Sequence, residues 1–301
     1  MAVDDWSLWM LEYGHEPQHP VGAILRNDWR FESREIPYSY IYLEGFGHRV
    51  LIDVGLDLNS FGGQAALDGG LCDYQDADVV LAEVGVTPEQ IDTIILTHVH
   101  ADHAGNLRKF PNARVIVQAW ELESWQEALR RGPRYAALLA ALDPRDVFYL
   151  GELAEQGRLE LLDGSATDRL PSLDIRPAHG THTEGSQYVT IRTPHRNWVA
   201  AGDNLFSYQN VEGLDSGAYV PIGFGTGSSW RGVEIIEEMA AAASTSSQLL
   251  IVHERETYHR FFGWTTEHGL GVAELHLAEG VASRAPRQRG GVDDDRRISS
   301  H

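Results

Sequence analysis

The chain has 301 residues, 43% of them apolar and 23% charged, and its 44 acids against 24 Lys and Arg give a formal net charge of −20. So acidic a surface repels phosphate backbones and argues against nucleic acid as a partner, and the longest apolar runs, "VVLAEVGV" and "TIILT", are too short to span a bilayer. The opening "MAVDDWSLWMLEYG" carries acids where a secretory leader is basic, and the single cysteine, Cys72, excludes an internal disulfide framework, so the cytoplasm is the expected compartment.

Residues 1–37 match no recognisable motif and read as an N-terminal extension that helps shape a pocket. Two alternating runs, "YSYIYLEG" (38–45) and "RVLIDVG" (49–55), then read as paired strands about the turn "GFGH". A Gly/Asp-rich loop (59–73) follows, with Cys72 in it as a bystander, and then a helix through "DADVVLAEVG". "TPEQ" (87–90) is a helix start, with Thr as N-cap, Pro first and Gln third. "DTIILTH" (92–98) is a buried strand that ends in polar residues, and "ARVIVQ" (113–118) is another strand. "AWELESWQEALRRG" (119–132) is a helix stopped by Gly132-Pro133, and an irregular stretch (133–170) contains a helix at "RYAALLAAL". Strands follow at 173–179, 187–193 and 197–203, then the helix "GVEIIEEMAAAAS" and the strand "QLLIVH" (248–253). Strands and helices alternate with no linker between them, which predicts one α/β domain over 1–282 and a disordered polar tail over 283–301.

Within "ILTHVHADHAG" (95–105), His98, His100, Asp102 and His103 stand at i, i+2, i+4 and i+5. A strand would oppose the last of these to the others and a helix would spread all four, but a strand end turning into a helix start can converge them. Gly105 lets the backbone pack closely there. Histidine and carboxylate are zinc-type ligands; the plainer alternative is a polar helical turn with its histidines in solvent. Three further segments weigh against that alternative. "HGTHTEGSQ" (179–187), "AAGDNLF" (200–206) and "IVHERE" (251–256) each place His or Asp just after an apolar run, the way an α/β scaffold assembles a site from several strand ends.

"THVHADHAGN", preceded by "LIDVG" with Asp53 and followed by "HTEGSQ", "AGDNLF" and "IVHE", resembles the metallo-β-lactamase superfamily over about residues 38–260. The resemblance implies an αββα sandwich, two mixed β-sheets face to face with helices outside. It implies two divalent metal ions per chain, zinc first with iron, manganese or cobalt compatible, at one edge of the sandwich. His98, His100 and His182 would bind the first metal, Asp102, His103 and His253 the second, and Asp203 would bridge them. Asp53 would orient a ligand histidine, with His179 beside the site or at the surface. A carboxylate is usual at the His100 position in the flavodiiron branch, so hydrolysis is implied rather than redox chemistry.

The N-acyl-homoserine lactonase-like branch matches best, which implies that a metal-bridging hydroxide opens a lactone or related cyclic ester or amide, with Asp102 passing a proton to the departing alkoxide. Other metallo-hydrolase substrates (thioester, β-lactam, phosphoester) remain the alternative, then a non-catalytic metal-binding protein on the same scaffold. Where lactonases commonly carry a tyrosine, this chain has Phe206; Tyr208, two residues on, is the candidate replacement. The expected partner is a small apolar or ring-bearing molecule, with Phe206 and Tyr38 lining its pocket, and a homodimer is compatible with this reading. The other N-terminal aromatics, Trp6, Trp9, Trp29, Phe31, Tyr40, Tyr42 and Phe46, read equally as a pocket wall or as core. "GFGTGSS" (223–229) reads as a loop at the pocket mouth, and no G-x-S-x-G elbow of a serine esterase occurs.

Overall fold

The segment Trp6–Pro20 (β1) buries both of its faces in its first half: Trp6, Leu8 and Met10 point into one apolar cluster, and Trp9, Leu11 and Tyr13 into another. Alternate side chains of a strand leave on opposite faces, so a strand covered on both sides is apolar at every position and loses its period of two. That is why this element is invisible to a search for alternation. The computed structural model describes residues 4–214 and 217–286.

The strands that follow are Ser33–Gly45 (β2), His48–Ile52 (β3), Thr93–Ile95 (β4), Arg114–Gln118 (β5), Leu159–Leu162 (β6), Ala166–Leu170 (β7), Leu173–Pro177 (β8), Gln187–Arg192 (β9), Asn197–Ala200 (β10), Leu249–Leu250 (β11), Phe262–Thr265 (β12) and Gly271–His276 (β13). One sheet has the order β12-β13-β1-β2-β3-β4-β5-β6 and the other β11-β10-β9-β8-β7. Both are mixed: β3 to β6 run parallel while β13, β1 and β2 pair antiparallel, and β11 runs parallel to β10 in an otherwise antiparallel sheet.

Between the sheets, Leu8, Met10, Ile41, Val50 and Ile95 meet Ile175, Val189, Ile191 and Trp198. The outer face of the larger sheet packs on the helices Ala77–Ala82, Ala119–Arg130 and Pro144–Glu155 through Val80, Leu122, Trp125, Leu150 and Leu153. The outer face of the smaller sheet packs on Ser229–Ala242 through Ile235, Ile236 and Met239. The result is the expected αββα sandwich of two mixed sheets.

Several local expectations are corrected. The loop expected at 59–73 contains a helix, Phe61–Gly69: Ser60 caps it by accepting from the Gly63 N–H at 2.9 Å, and Gly70 ends it in the left-handed region at φ 111°. "RYAALLAAL" is only a run of 3-10 turns, Pro133–Leu139, in which no residue is buried. The Pro144–Glu155 helix and strands β6, β7, β12 and β13 had no signal strong enough to name. Of the tail expected to be disordered from 283, residues 287–301 lie outside the described residues. Arg284, by contrast, is fixed over the Trp9 ring at 4.5 Å, with Glu44 as its ionic partner. Most N-terminal aromatics are core: Trp6, Trp9, Tyr40 and Tyr42 are fully buried, whereas Trp29 and Phe31 are exposed.

Candidate metal centre

The site lies where strands of both sheets end. Asp53 follows β3, His98 and His100 follow β4, and Asp102 and His103 sit in the single helical turn Ala101–Ala104. His182 lies on the loop from β8 to β9, Asp203 just beyond β10, and His253 just beyond β11. Two glycines allow this crowding. A Cβ on Gly105 would stand 2.5 Å from the Ala101 carbonyl oxygen, and one on Gly202, which already has φ +54°, would stand 2.6 Å from the Thr97 side chain.

The structure brings seven of the expected side chains together in two groups: His98, His100, His182 and Asp203, and then Asp102, His103, Asp203 and His253. Asp203 belongs to both. Its Oδ2 is 3.3 Å from His182 Nε2 and 3.9 Å from His98 Nε2, while its Oδ1 is 3.1 Å from His103 Nε2 and 3.3 Å from His253 Nε2. Asp102 Oδ2 approaches His103 Nε2 at 3.5 Å and His253 Nε2 at 3.6 Å.

Second partners aim the imidazoles. His103 Nδ1–H donates to Asp53 Oδ2 at 2.8 Å, and Asp53 also accepts from the Thr97 N–H and hydroxyl. His253 Nδ1–H donates to the Pro37 carbonyl at 2.9 Å and His182 Nδ1–H to the Phe224 carbonyl at 3.1 Å. With these outer nitrogens protonated, the inner nitrogens present lone pairs. His100 Nδ1 faces His98 Nε2 at 3.1 Å and His182 Nε2 at 2.9 Å, and His103 Nε2, His253 Nε2 and Asp203 Oδ1 are buried with no hydrogen-bond partner. Converging lone pairs and partnerless buried acceptors are costly unless cations lie among them. The donor set therefore fits divalent metal.

Electrostatics separates the histidines: burial alone would lower His103 and His253, but the carboxylates of Asp203 and Asp102 raise both. Burial, then the neighbouring imidazoles, push His98 and His100 well below the usual histidine range. Burial alone would raise Asp203, but His103, His253 and His182 hold it well below the usual carboxylate range.

A cavity of about 370 Å³ opens over the cluster, walled by Tyr38, Phe61, Phe206 and Phe224, with Asp102, Asp203 and His253 at its floor. The Phe206 ring stacks on His253 at 4.9 Å, and Tyr38 meets His253 edge-on at 4.9 Å. A larger recess of about 590 Å³ beside the Ala119–Arg130 helix contains none of the seven, so size alone does not mark the site.

One expected residue lies elsewhere. Tyr208 does not reach the cavity: its ring is buried against the Ser229–Ala242 helix under the Arg260 guanidinium at 3.6 Å, and its hydroxyl pairs with Thr257 at 3.3 Å. Helical packing and a cation over the ring hold it there. His179 is half-buried at the outside of the smaller sheet, where burial and the Arg231 charge lower its pKa.

One residue escaped sequence reasoning. Glu121 is wholly buried and accepts from Val99 N–H at 2.8 Å, Trp125 Nε1–H at 2.7 Å, Thr183 hydroxyl at 2.6 Å and Gly185 N–H at 3.0 Å. It ties the 98–103 loop to the 179–186 loop. The available signal was an acid on the buried face of a helix, beside Leu122 and Trp125.

A family model of the metallo-beta-lactamase superfamily matches residues 34–242. The chain belongs to that superfamily. Among curated proteins it is similar to the N-acyl homoserine lactonase AttM of Rhizobium radiobacter, with 29% identity over 129 residues that cover 40% of this chain and 49% of that one. It is also similar to a ribonuclease of Thermus thermophilus, with 28% identity over 57% of this chain and 36% of the other. The chain thus spans about half the length, or less, of the curated relatives it matches. Among solved structures it resembles, in fold, a mutant of AiiA of B. thuringiensis with N-decanoyl-L-homoserine bound at the active site: TM-score 0.61, 19% identity, 87% of this chain and 98% of that one.

Proposed function

We propose that the chain is a metal-dependent hydrolase that opens a lactone or related cyclic ester or amide. The observation that carries this reading is Asp203: one buried carboxylate faces four imidazoles of two ligand groups at the floor of an aromatic-walled cavity. Two zinc ions held by the seven side chains would supply Lewis acidity and lower the pKa of water enough to give a nucleophile near neutral pH. Asp102 is the most open of the seven, its side chain 17% exposed, and it is placed to hand a proton to a departing alkoxide. Phe206, Phe224 and Tyr38 exclude water and suit an apolar substrate. Tyr38 also donates its hydroxyl to Glu16 at 3.3 Å, which fixes the ring against His253. The activity of the lactonase relatives supports a lactone. The described residues that line the cavity include no Lys or Arg, which disfavours a polyanion such as RNA or a phosphoester.

The test is a panel of lactones, thioesters, β-lactams and phosphoesters assayed on metal-stripped and zinc-repleted protein. Lactone turnover that disappears on chelation and returns with zinc, at about two equivalents per chain, is the expected result. Turnover indifferent to chelators, or highest on a phosphoester, overturns the reading.

A further inference from the structure

A second cluster of metal-type side chains stands apart from the seven. His15 is on β1; Cys72 and Asp73 follow the Phe61–Gly69 helix, whose Phe61, Gly62 and Gly69 line the cavity. We propose that His15, Cys72 and Asp73 bind a single zinc-like divalent cation at the outer end of this pocket wall.

One ligand atom from each of the three lies within 4.8 Å of the others. Their spacing is set by the backbone: His15 N–H donates to the Cys72 carbonyl at 3.2 Å and Cys72 N–H to the His15 carbonyl at 2.9 Å, an isolated antiparallel bridge. His15 Nε2, the ring nitrogen on the Asp73 side, is 3.4 Å from Asp73 Oδ2, while Nδ1 lies on the opposite side of the ring toward Glu12. Glu12 approaches that nitrogen only to 3.7 Å and is already committed, accepting from Arg255 at 2.6 and 2.7 Å and from the Gly271 N–H at 2.7 Å. The donor set is therefore one imidazole, one sulfur and one carboxylate, with a fourth position open to water, which suits tetrahedral zinc.

Charge points the same way. Burial and then the carboxylates of Asp73, Glu35 and Glu12 raise the Cys72 thiol pKa. A dication placed among them reverses that balance, and binding releases the thiol proton to solvent. No ligand is shared with the seven-residue centre, and His15 precedes the segment that the family model matches. The reading of Cys72 as a bystander holds for that centre alone.

Cys72 is the sole cysteine of the chain, which makes the test specific. Cobalt(II) is titrated into metal-stripped protein, and thiolate-to-cobalt charge transfer is followed in the near ultraviolet. The nitrogen and oxygen ligands of the main centre cannot produce that band, so its outcome is independent of whether the protein is a lactonase. A sulfur band that saturates at one thiolate-bound cobalt per chain is expected. Cys72→Ser should abolish the band and leave the melting temperature of the metal-free protein and the zinc-dependent turnover unchanged. His15→Ala and Asp73→Asn should each weaken cobalt binding about tenfold or more, since even a supporting partner of a ligand is worth that much. Saturation without a sulfur band overturns the proposal. So does a band that neither His15→Ala nor Asp73→Asn weakens, because the thiol alone would then be binding the metal.

Discussion

Replacing Glu121 by Gln preserves size and shape but turns one acceptor into a donor. All four groups around the carboxylate donate: the Val99 and Gly185 amides, the Trp125 indole and the Thr183 hydroxyl, at 2.6–3.0 Å. The amide oxygen of Gln can serve one pair; its NH₂ then confronts the other. Only Thr183 can rotate to accept, so at least one buried N–H or indole N–H loses its partner. Hydrogen bonds to a charged group contribute about 1.5–3 kcal/mol each, so the loss of one or two costs roughly 3 kcal/mol, or about a hundredfold in the folded-to-unfolded ratio. The damage is not confined to stability. Glu121 joins the loop that carries His98 and His100 to the loop that carries His182, so the ligand geometry loosens with it. Urea unfolding followed by tryptophan fluorescence should show a lower midpoint with little change in slope, and equilibrium dialysis should show weakened metal retention. A Gln variant within about 0.5 kcal/mol of the parent that retains metal equally would refute this account of the carboxylate.

Asp203→Asn removes the charge that faces four imidazoles; turnover should fall roughly a hundredfold or more, with metal content reduced, as assay and elemental analysis would report. Unchanged metal content and rate would remove Asp203 from the centre. Asp146 makes a pH prediction. Burial, then the Asp143 charge, raise its carboxyl from 3.8 to about 7 despite Arg108 at 3.5 Å. A raised carboxyl is protonated in both states below the unfolded value; as pH rises toward 7 only the unfolded chain releases the proton, so stability is progressively lost across that window. Asp146→Asn should therefore be more stable than the parent at pH 8, by on the order of 2–4 kcal/mol, and indistinguishable near pH 4. Denaturation at the two pH values checks it, and a pH-independent difference would contradict the assignment.

The seven ligand-type residues could be picked out in the sequence because each follows a short apolar run that breaks into polar residues, and their order along the chain carries the family pattern. Asp53 was legible for the same reason. Tyr208 was misplaced because position in sequence near Asp203 says nothing of which way the chain turns after β10, and the turn carries the ring to the helix side. Glu121 needed tertiary knowledge: its four partners come from three separate segments. The central strand β1 was hidden by burial on both faces, and the pocket-wall helix Phe61–Gly69 by its three glycines and aspartate, whose propensity is for loops.

The neighbours of β1 in the larger sheet are β2 and β13, the latter contributed by residues 271–276. During synthesis β1 thus waits for the described strand most distant from it in sequence before its far edge is paired. Until then it offers unpaired amides and carbonyls beside Trp6, Leu8 and Met10, a template for stray association. Shortening the chain ahead of residue 271 should accordingly produce aggregation rather than a smaller active enzyme, although every side chain of the seven-residue centre would still be present.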